Sequence, residues 1–189
     1  HTVTFAPADS TMDNTTRHFL NGGKISNEIV PASRTGYTFG GWYNGETKWD
    51  HTNDKVTGDL TLTAHWTGNT YTVTFNANGG TVNPATITAT YGADLPTMPV
   101  PVYPGYAFTG WYDAQTGGRC YGDKTGASAS RYDKTENCTL YAQWMPCDHG
   151  GSRANPTCTT PATCTVCGGT IEKLPHDFTA ETVDAKYLK

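Results

Sequence analysis

Strict alternation of apolar and polar residues marks several short segments of this chain. In Tyr71-Thr-Val-Thr-Phe75, Tyr71, Val73 and Phe75 fall on one face and the two threonines on the other. In Leu60-Thr-Leu-Thr-Ala-His-Trp66, Leu60, Leu62, Ala64 and Trp66 share a face. Both patterns predict half-buried β-strands. The same patterns come twice and in the same order. HTVTF (1–5) is answered by YTVTF (71–75), TGYTFGGWYN (35–44) by PGYAFTGWYD (104–113), and LTLTAHW (60–66) by CTLYAQW (138–144). Two modules, 1–66 and 71–144, are therefore expected, with Thr67 to Thr70 as a short polar linker. Trp42 and Trp111 lie 69 residues apart, whereas Trp66 and Trp144 lie 78 apart. The second module thus carries an insertion, placed in Gly122 to Asp133. Gly40-Gly41 and Gly110 stand beside a tryptophan, where a bulge or a close backbone approach is expected. Asn78-Gly79-Gly80 predicts a hairpin turn. The four prolines between Leu95 and Pro104 forbid a helix interior or a central strand there. Ser10 to Asn14 predicts one capped helical turn, with little helix elsewhere.

Composition agrees with strands. Of 189 residues, 34 are Thr, 11 Tyr and 5 Trp, whereas Leu, Ile, Val and Phe together number 26. Branched and flat side chains fit a pleated, half-buried surface, so small aromatic cores are expected. The net charge of -4 lacks the basic footprint of a nucleic-acid binder. No apolar run approaches the roughly 20 residues of a membrane-spanning helix, so no membrane insertion of this segment is expected. Both ends read as cut from a longer chain.

The quoted motifs carry a resemblance. The opening xTVTF, the Asn76-Ala77-Asn78-Gly79-Gly80 turn, GYxFxGWY and the closing LTLxAxW resemble the internalin-type B-repeat, also called the Listeria–Bacteroides repeat. The resemblance covers residues 1–144. The first module departs from it where Ala6-Pro7-Ala8-Asp9 replaces the Asn-Gly-Gly turn, which places the departure at its first hairpin. The resemblance implies a mostly β (α+β) fold of tandem, small, β-grasp-like modules. It also implies a bacterial surface-anchored or secreted setting, a stalk, spacer or contact role, and no catalytic residues.

From residue 145 the pattern changes to a Cys/His-rich module. Its cysteines and histidines are Cys147, His149, Cys158, Cys164, Cys167 and His176. Cys164-Thr-Val-Cys167-Gly is a zinc-knuckle spacing, in which a turn lets two thiolates converge on one tetrahedral ion. One assignment gives structural zinc to His149, Cys164, Cys167 and His176 and leaves Cys147 and Cys158 to form a disulfide. A second uses Cys147, His149, Cys164 and Cys167. A third makes all four tail cysteines disulfides. Residues 145–189 hold few aliphatics, and a metal or a bridge would supply stability that burial cannot. In the second module, Cys120 and Cys138 flank the insertion, and a disulfide closing it is expected to add about 3 kcal/mol. Six cysteines fit an oxidising compartment.

Trp42, Trp66, Trp111 and Trp144 lie in the repeated strands, where core packing is expected. Trp49 and Tyr121, beside the variable loop, are the candidate contact surface. Gly122 to Ser130 reads as a mobile loop. His18, His51 and His65 have no partner at catalytic spacing, and no nucleophile elbow, zincin helix, phosphate loop or dinucleotide fingerprint is present. The expectation is a non-catalytic extracellular repeat segment acting as stalk or spacer in adhesion. The alternatives are a binding module for host protein, mucin or glycan, and a self-assembling fibre subunit that pairs through strand edges.

Overall fold

The computed structural model describes residues 1–31, 33–147, 162–164 and 170–171. Their architecture is all-β, with two five-stranded sheets and a two-stranded hairpin. No helix of the described residues is long and apolar enough to cross a membrane. The chain forms two compact units.

The first sheet contains β1 (Thr2–Ala6), β2 (Thr15–His18), β3 (Tyr37–Asn44), β4 (Thr47–Lys48) and β5 (Leu60–Gly68) in the order β2-β1-β5-β3-β4. β1 runs parallel to β5, with Phe5 opposite Leu62, and antiparallel to β2. Alternation decides which side is buried. Val3, Phe5 and Leu62 are buried, whereas the intervening threonines are not. Trp42, Trp49, Ile25, Val56 and Ala64 complete this core.

The register of β3 against β5 shifts between Phe39 and Gly41, leaving Gly40 as the extra residue. This bulge has a packing consequence. Phe39 and Trp42 are three residues apart, and in a regular strand an odd separation puts them on opposite faces. The extra residue brings both rings to the core side, where they meet edge to face at 5.3 Å.

The second sheet contains β6 (Thr70–Asn76), β7 (Thr86–Thr90), β8 (Tyr106–Tyr112), β9 (Cys120–Asp123) and β10 (Cys138–Pro146). Its order, β7-β6-β10-β8-β9, repeats that of the first sheet strand for strand. Here the β10–β8 register skips Thr109, and Phe108 meets Trp111 at 5.3 Å as Phe39 meets Trp42. Trp111, Tyr121, Tyr132, Leu140 and Met98 are buried about this sheet.

Three expectations are corrected. Thr67 to Thr70 is not a loop, because β5 runs to Gly68 and β6 starts at Thr70, with only Asn69 between. Asn69 is itself engaged: its N–H donates to Gly36 O at 2.9 Å, and its side-chain oxygen accepts from Thr38 Oγ1 at 2.6 Å. Ser10 to Asn14 holds a turn instead of a helical turn. Met12 N–H donates to Asp9 O, and Asp9 Oδ1 accepts from both the N–H and the hydroxyl of Thr11. An aspartate that binds its own backbone two residues on favours a turn over a helix. The insertion is tied down at several points. Asp123 Oδ1 accepts from Thr125 and Ala127, Gly126 O accepts from Met98 N–H, and Tyr132 is fully buried.

The hairpin consists of β11 (Ala162–Thr163) and β12 (Thr170–Ile171), paired antiparallel with Thr163 opposite Thr170.

Candidate functional site

The repeated aromatics form one arrangement twice. In the first unit Phe5, Trp42, Phe39 and Trp66 make a chain of ring contacts with centroids 5.0, 5.3 and 5.6 Å apart. In the second, Phe75, Trp111, Phe108 and Trp144 do the same at 4.6, 5.3 and 5.6 Å. Each such pair contributes about 0.5–1.5 kcal/mol beyond simple burial. The indole donors are also matched. Trp42 Nε1 donates to Ile29 O at 2.6 Å and Trp111 Nε1 to Pro99 O at 2.9 Å. Trp66 Nε1 donates to Pro7 O at 2.6 Å and Trp144 Nε1 to Ala77 O at 2.9 Å. Trp42 and Trp111 are buried and Trp66 and Trp144 half-buried, so the expected packing role holds for all four.

Pro7 and Ala77 stand at equivalent places in the first loop of each module. The residue after each takes a positive φ, 55° at Ala8 and 48° at Asn78. The Ala-Pro-Ala-Asp departure therefore keeps the backbone path of the Asn-Gly-Gly turn. It does so with an alanine in a conformation that Asn and Gly adopt more cheaply. Arg34 secures this loop, its Nε 2.7 Å from Asp9 Oδ2 and its guanidinium 4.1 Å above the Tyr37 ring. The threonine hydrogen bonds to Asp9, and then Arg34, hold its carboxyl below the ordinary value.

Trp49 and Tyr121 do not form a contact surface. They are 7% and 1% exposed. Trp49 follows β4 directly, and its N–H bonds to Trp42 O at 2.8 Å, which turns the ring into the core. Its Nε1 is buried with no hydrogen-bond partner among the described residues. Tyr121 faces inward from β9, with the Arg119 guanidinium 5.3 Å from its ring centre. A position beside the variable loop suggested exposure, whereas Trp49, directly after β4, and Tyr121, in β9, both turn inward.

The histidines serve local contacts. His65 stacks on Tyr43 at 3.6 Å, His51 Nδ1 lies 3.3 Å from Ile25 O, and His18 Nδ1 lies 3.3 Å from Thr2 Oγ1. Among the described residues no group of three His, Cys, Asp or Glu side chains is placed to hold a metal. A cleft of about 360 Å³ opens beside β2, lined by Phe5, Pro7, Met12, Ile29, Val30 and Trp42 among others.

The expected Cys120–Cys138 bridge is not formed, and no disulfide joins the described cysteines. Sheet order supplies the reason. Cys120 begins β9, Cys138 begins β10, and β8 lies between them. Strands two apart are separated by about 9.5 Å, beyond the roughly 7 Å between Cα atoms that a disulfide can span. Cys120 Sγ donates to Gly122 O at 3.2 Å, and Tyr132 Oη donates to Cys138 Sγ at 3.5 Å. Burial, and then Cys120 beside it, push the Tyr112 phenol upward.

In the tail, Cys147 Sγ and Cys164 Sγ are 3.6 Å apart, and Cys164 is buried. The first of the three assignments divided these two, with Cys147 in a bridge to Cys158 and Cys164 on a metal. The structure brings them together. His149, Cys158, Cys167 and His176 lie outside the described residues.

Comparison with known proteins follows the same division. The Listeria-Bacteroides repeat domain matches residues 1–65 and again 71–143. Internalin H of Listeria monocytogenes is 38% identical over 146 residues, covering 75% of this chain and 25% of that protein. A protein of Evansella cellulosilytica, named as a membrane protein, is 34% identical over 125 residues, covering 65% of this chain and 18% of its own length. The chain thus spans a quarter or less of these relatives. No solved structure matches it significantly. Two copies of one motif set, two sheets of one strand order and two matches to one domain give a single conclusion: the chain belongs to the Listeria-Bacteroides repeat family.

Proposed function

We propose that this chain is a non-catalytic segment of a bacterial surface protein, serving as stalk or spacer in adhesion outside the cell. One observation carries this reading. Every tryptophan that the two modules share packs against the core and donates its Nε1 to a loop carbonyl of its own unit. The side chains best suited to gripping a glycan or a protein are thereby committed to holding the module together. The matching family is a repeat domain, which supports a structural role, and the names of the relatives, an internalin and a membrane protein, support a surface setting.

The full chain displayed against arrays of glycans, mucins and host matrix proteins should bind none of them saturably. Saturable binding to any one would replace the spacer with a contact module. The cleft beside β2 favours that second reading, because it is a concave, partly apolar surface next to an exposed edge strand. Arg17→Glu, on the rim of the cleft, would then abolish the binding.

A further inference from the structure

The structure assigns Asn44 as a site of spontaneous covalent modification, where the side-chain amide becomes aspartate or isoaspartate. The chemistry is open to any Asn-Gly pair. The backbone nitrogen of the glycine attacks Cγ of the asparagine and loses its proton, and ammonia leaves. Water then opens the five-membered imide at one carbonyl or the other, giving aspartate or isoaspartate. A following glycine favours the attack, because it has no Cβ to crowd it and its backbone turns freely. The sequence holds three such pairs, Asn21-Gly22, Asn44-Gly45 and Asn78-Gly79. All three asparagines are exposed. The tertiary structure separates them.

Two of the pairs are held in place. Asn78 Nδ2, the amine that would leave, donates to Ala142 O at 3.2 Å and to Gln115 O at 3.4 Å. At Asn21 the attacking nitrogen itself is engaged. Gly22 N–H donates to Val56 O at 2.8 Å, and His1 Nε2 lies 3.3 Å from Asn21 Oδ1. Neither constraint operates at Asn44. Among the described residues no hydrogen bond holds its side chain, and no turn bond holds the Gly45 N–H. The pair lies where β3 turns into β4. That strand is two exposed residues, paired only as Lys48 with Tyr43 and Thr47 with Asn44. Imide closure requires Asn44 to leave its extended backbone, and so short and exposed a strand opens at little cost. The product matters to the module. Isoaspartate routes the main chain through the side-chain carbon and lengthens it by one atom. Trp49 follows β4 directly and is buried in the core, so a longer chain at Asn44 disturbs the ladder that seats this ring.

The test ages the full chain at mildly alkaline pH, digests it and quantifies the aspartate and isoaspartate forms of each peptide by mass spectrometry. In the folded chain Asn44 is expected to convert faster than Asn21 and Asn78 by about tenfold or more, the factor set by the hydrogen bonds that must first break at the other two. In urea the three should convert at similar rates, because the same dipeptide stands at each. Equal rates in the folded chain, or a slower rate at Asn44, would overturn the proposal. So would a lead for Asn44 that persists undiminished in urea, since the fold would then not be its cause. Asn44→Gln should abolish conversion at that position, because the larger imide ring of glutamine closes far more slowly. The rate comparison is read on the unmutated chain, so the test survives a variant that fails to fold.

Discussion

At the scale of single residues, small local choices carry measurable consequences. Ala8 occupies a left-handed conformation that its counterpart Asn78 supports with side-chain bonds, from Nδ2 to Ala142 O and Gln115 O. Ala8→Gly should therefore raise stability by about 1 kcal/mol, since glycine takes positive φ without the steric cost of a Cβ. A urea midpoint equal to or below that of the parent would contradict this. Trp49 offers a different contrast. Its buried Nε1 has no hydrogen-bond partner among the described residues, whereas Trp42 Nε1 donates to Ile29 O. Both Trp→Phe changes lose ring volume, but only Trp42→Phe also strands a carbonyl. Trp42→Phe should cost more, by about 1–3 kcal/mol, and equal losses would refute the distinction. Aspartates add a pH dependence. Hydrogen bonds from Thr11 to Asp9, from Asn53 to Asp50 and from Thr125 to Asp123 each hold a carboxyl below its ordinary value. Their folded pKa values are depressed, so this stability is present above the ordinary carboxylate range and is lost as pH falls through the lowered values. Chemical denaturation at a series of acidic pH values should show the decline, and Asp123→Asn should flatten part of it.

At the scale of elements, the bulge in β3 and in β8 is the device that makes each module. Gly41 and Gly110 follow it at φ 129° and 150°. The two glycines are not equally replaceable. A Cβ on Gly110 would lie 2.6 Å from the carbonyl oxygen of Gly122, which is backbone of the neighbouring strand. At Gly41 it would meet the Lys48 side chain near its free end, which can move away. Gly110→Ala should therefore destabilise its sheet more than Gly41→Ala does, although both carry the strain of a positive φ. Thermal unfolding of the two variants checks the order, and the reverse order would show that the contact with Gly122 is relieved by strand movement. The bulge itself was legible from Gly40-Gly41 and Gly110 standing beside a tryptophan. The inward direction of Trp49 and Tyr121 was not, because two- and four-residue strands are too short to display an alternation.

At the scale of the whole molecule, one arrangement serves twice: each sheet has the same strand order and carries the same run of aromatic contacts. Trp42→Ala and Trp111→Ala should therefore each cost about 3–5 kcal/mol, read by chemical denaturation, and a loss near zero in either would refute the shared role.

The sequence by itself determined that the chain is a β-strand repeat, where the strands shared by both modules lie, where their backbone bulges and that the four repeated tryptophans are core; the short strands β2, β4, β7 and β9 and the burial of Trp49 were not legible in it. The properties it determined are local. Period-two alternation and the conformational needs of glycine are written into neighbouring residues. Only the tertiary structure decided which cysteines meet. Cys120 and Cys138 lie 18 residues apart in the chain, yet β8 runs between their strands. Cys147 and Cys164 are separated by a similar 17 residues and bring their sulfurs to 3.6 Å. Nearly equal spacing gave opposite outcomes, because strand order sets the distance between side chains and chain length sets only its upper limit.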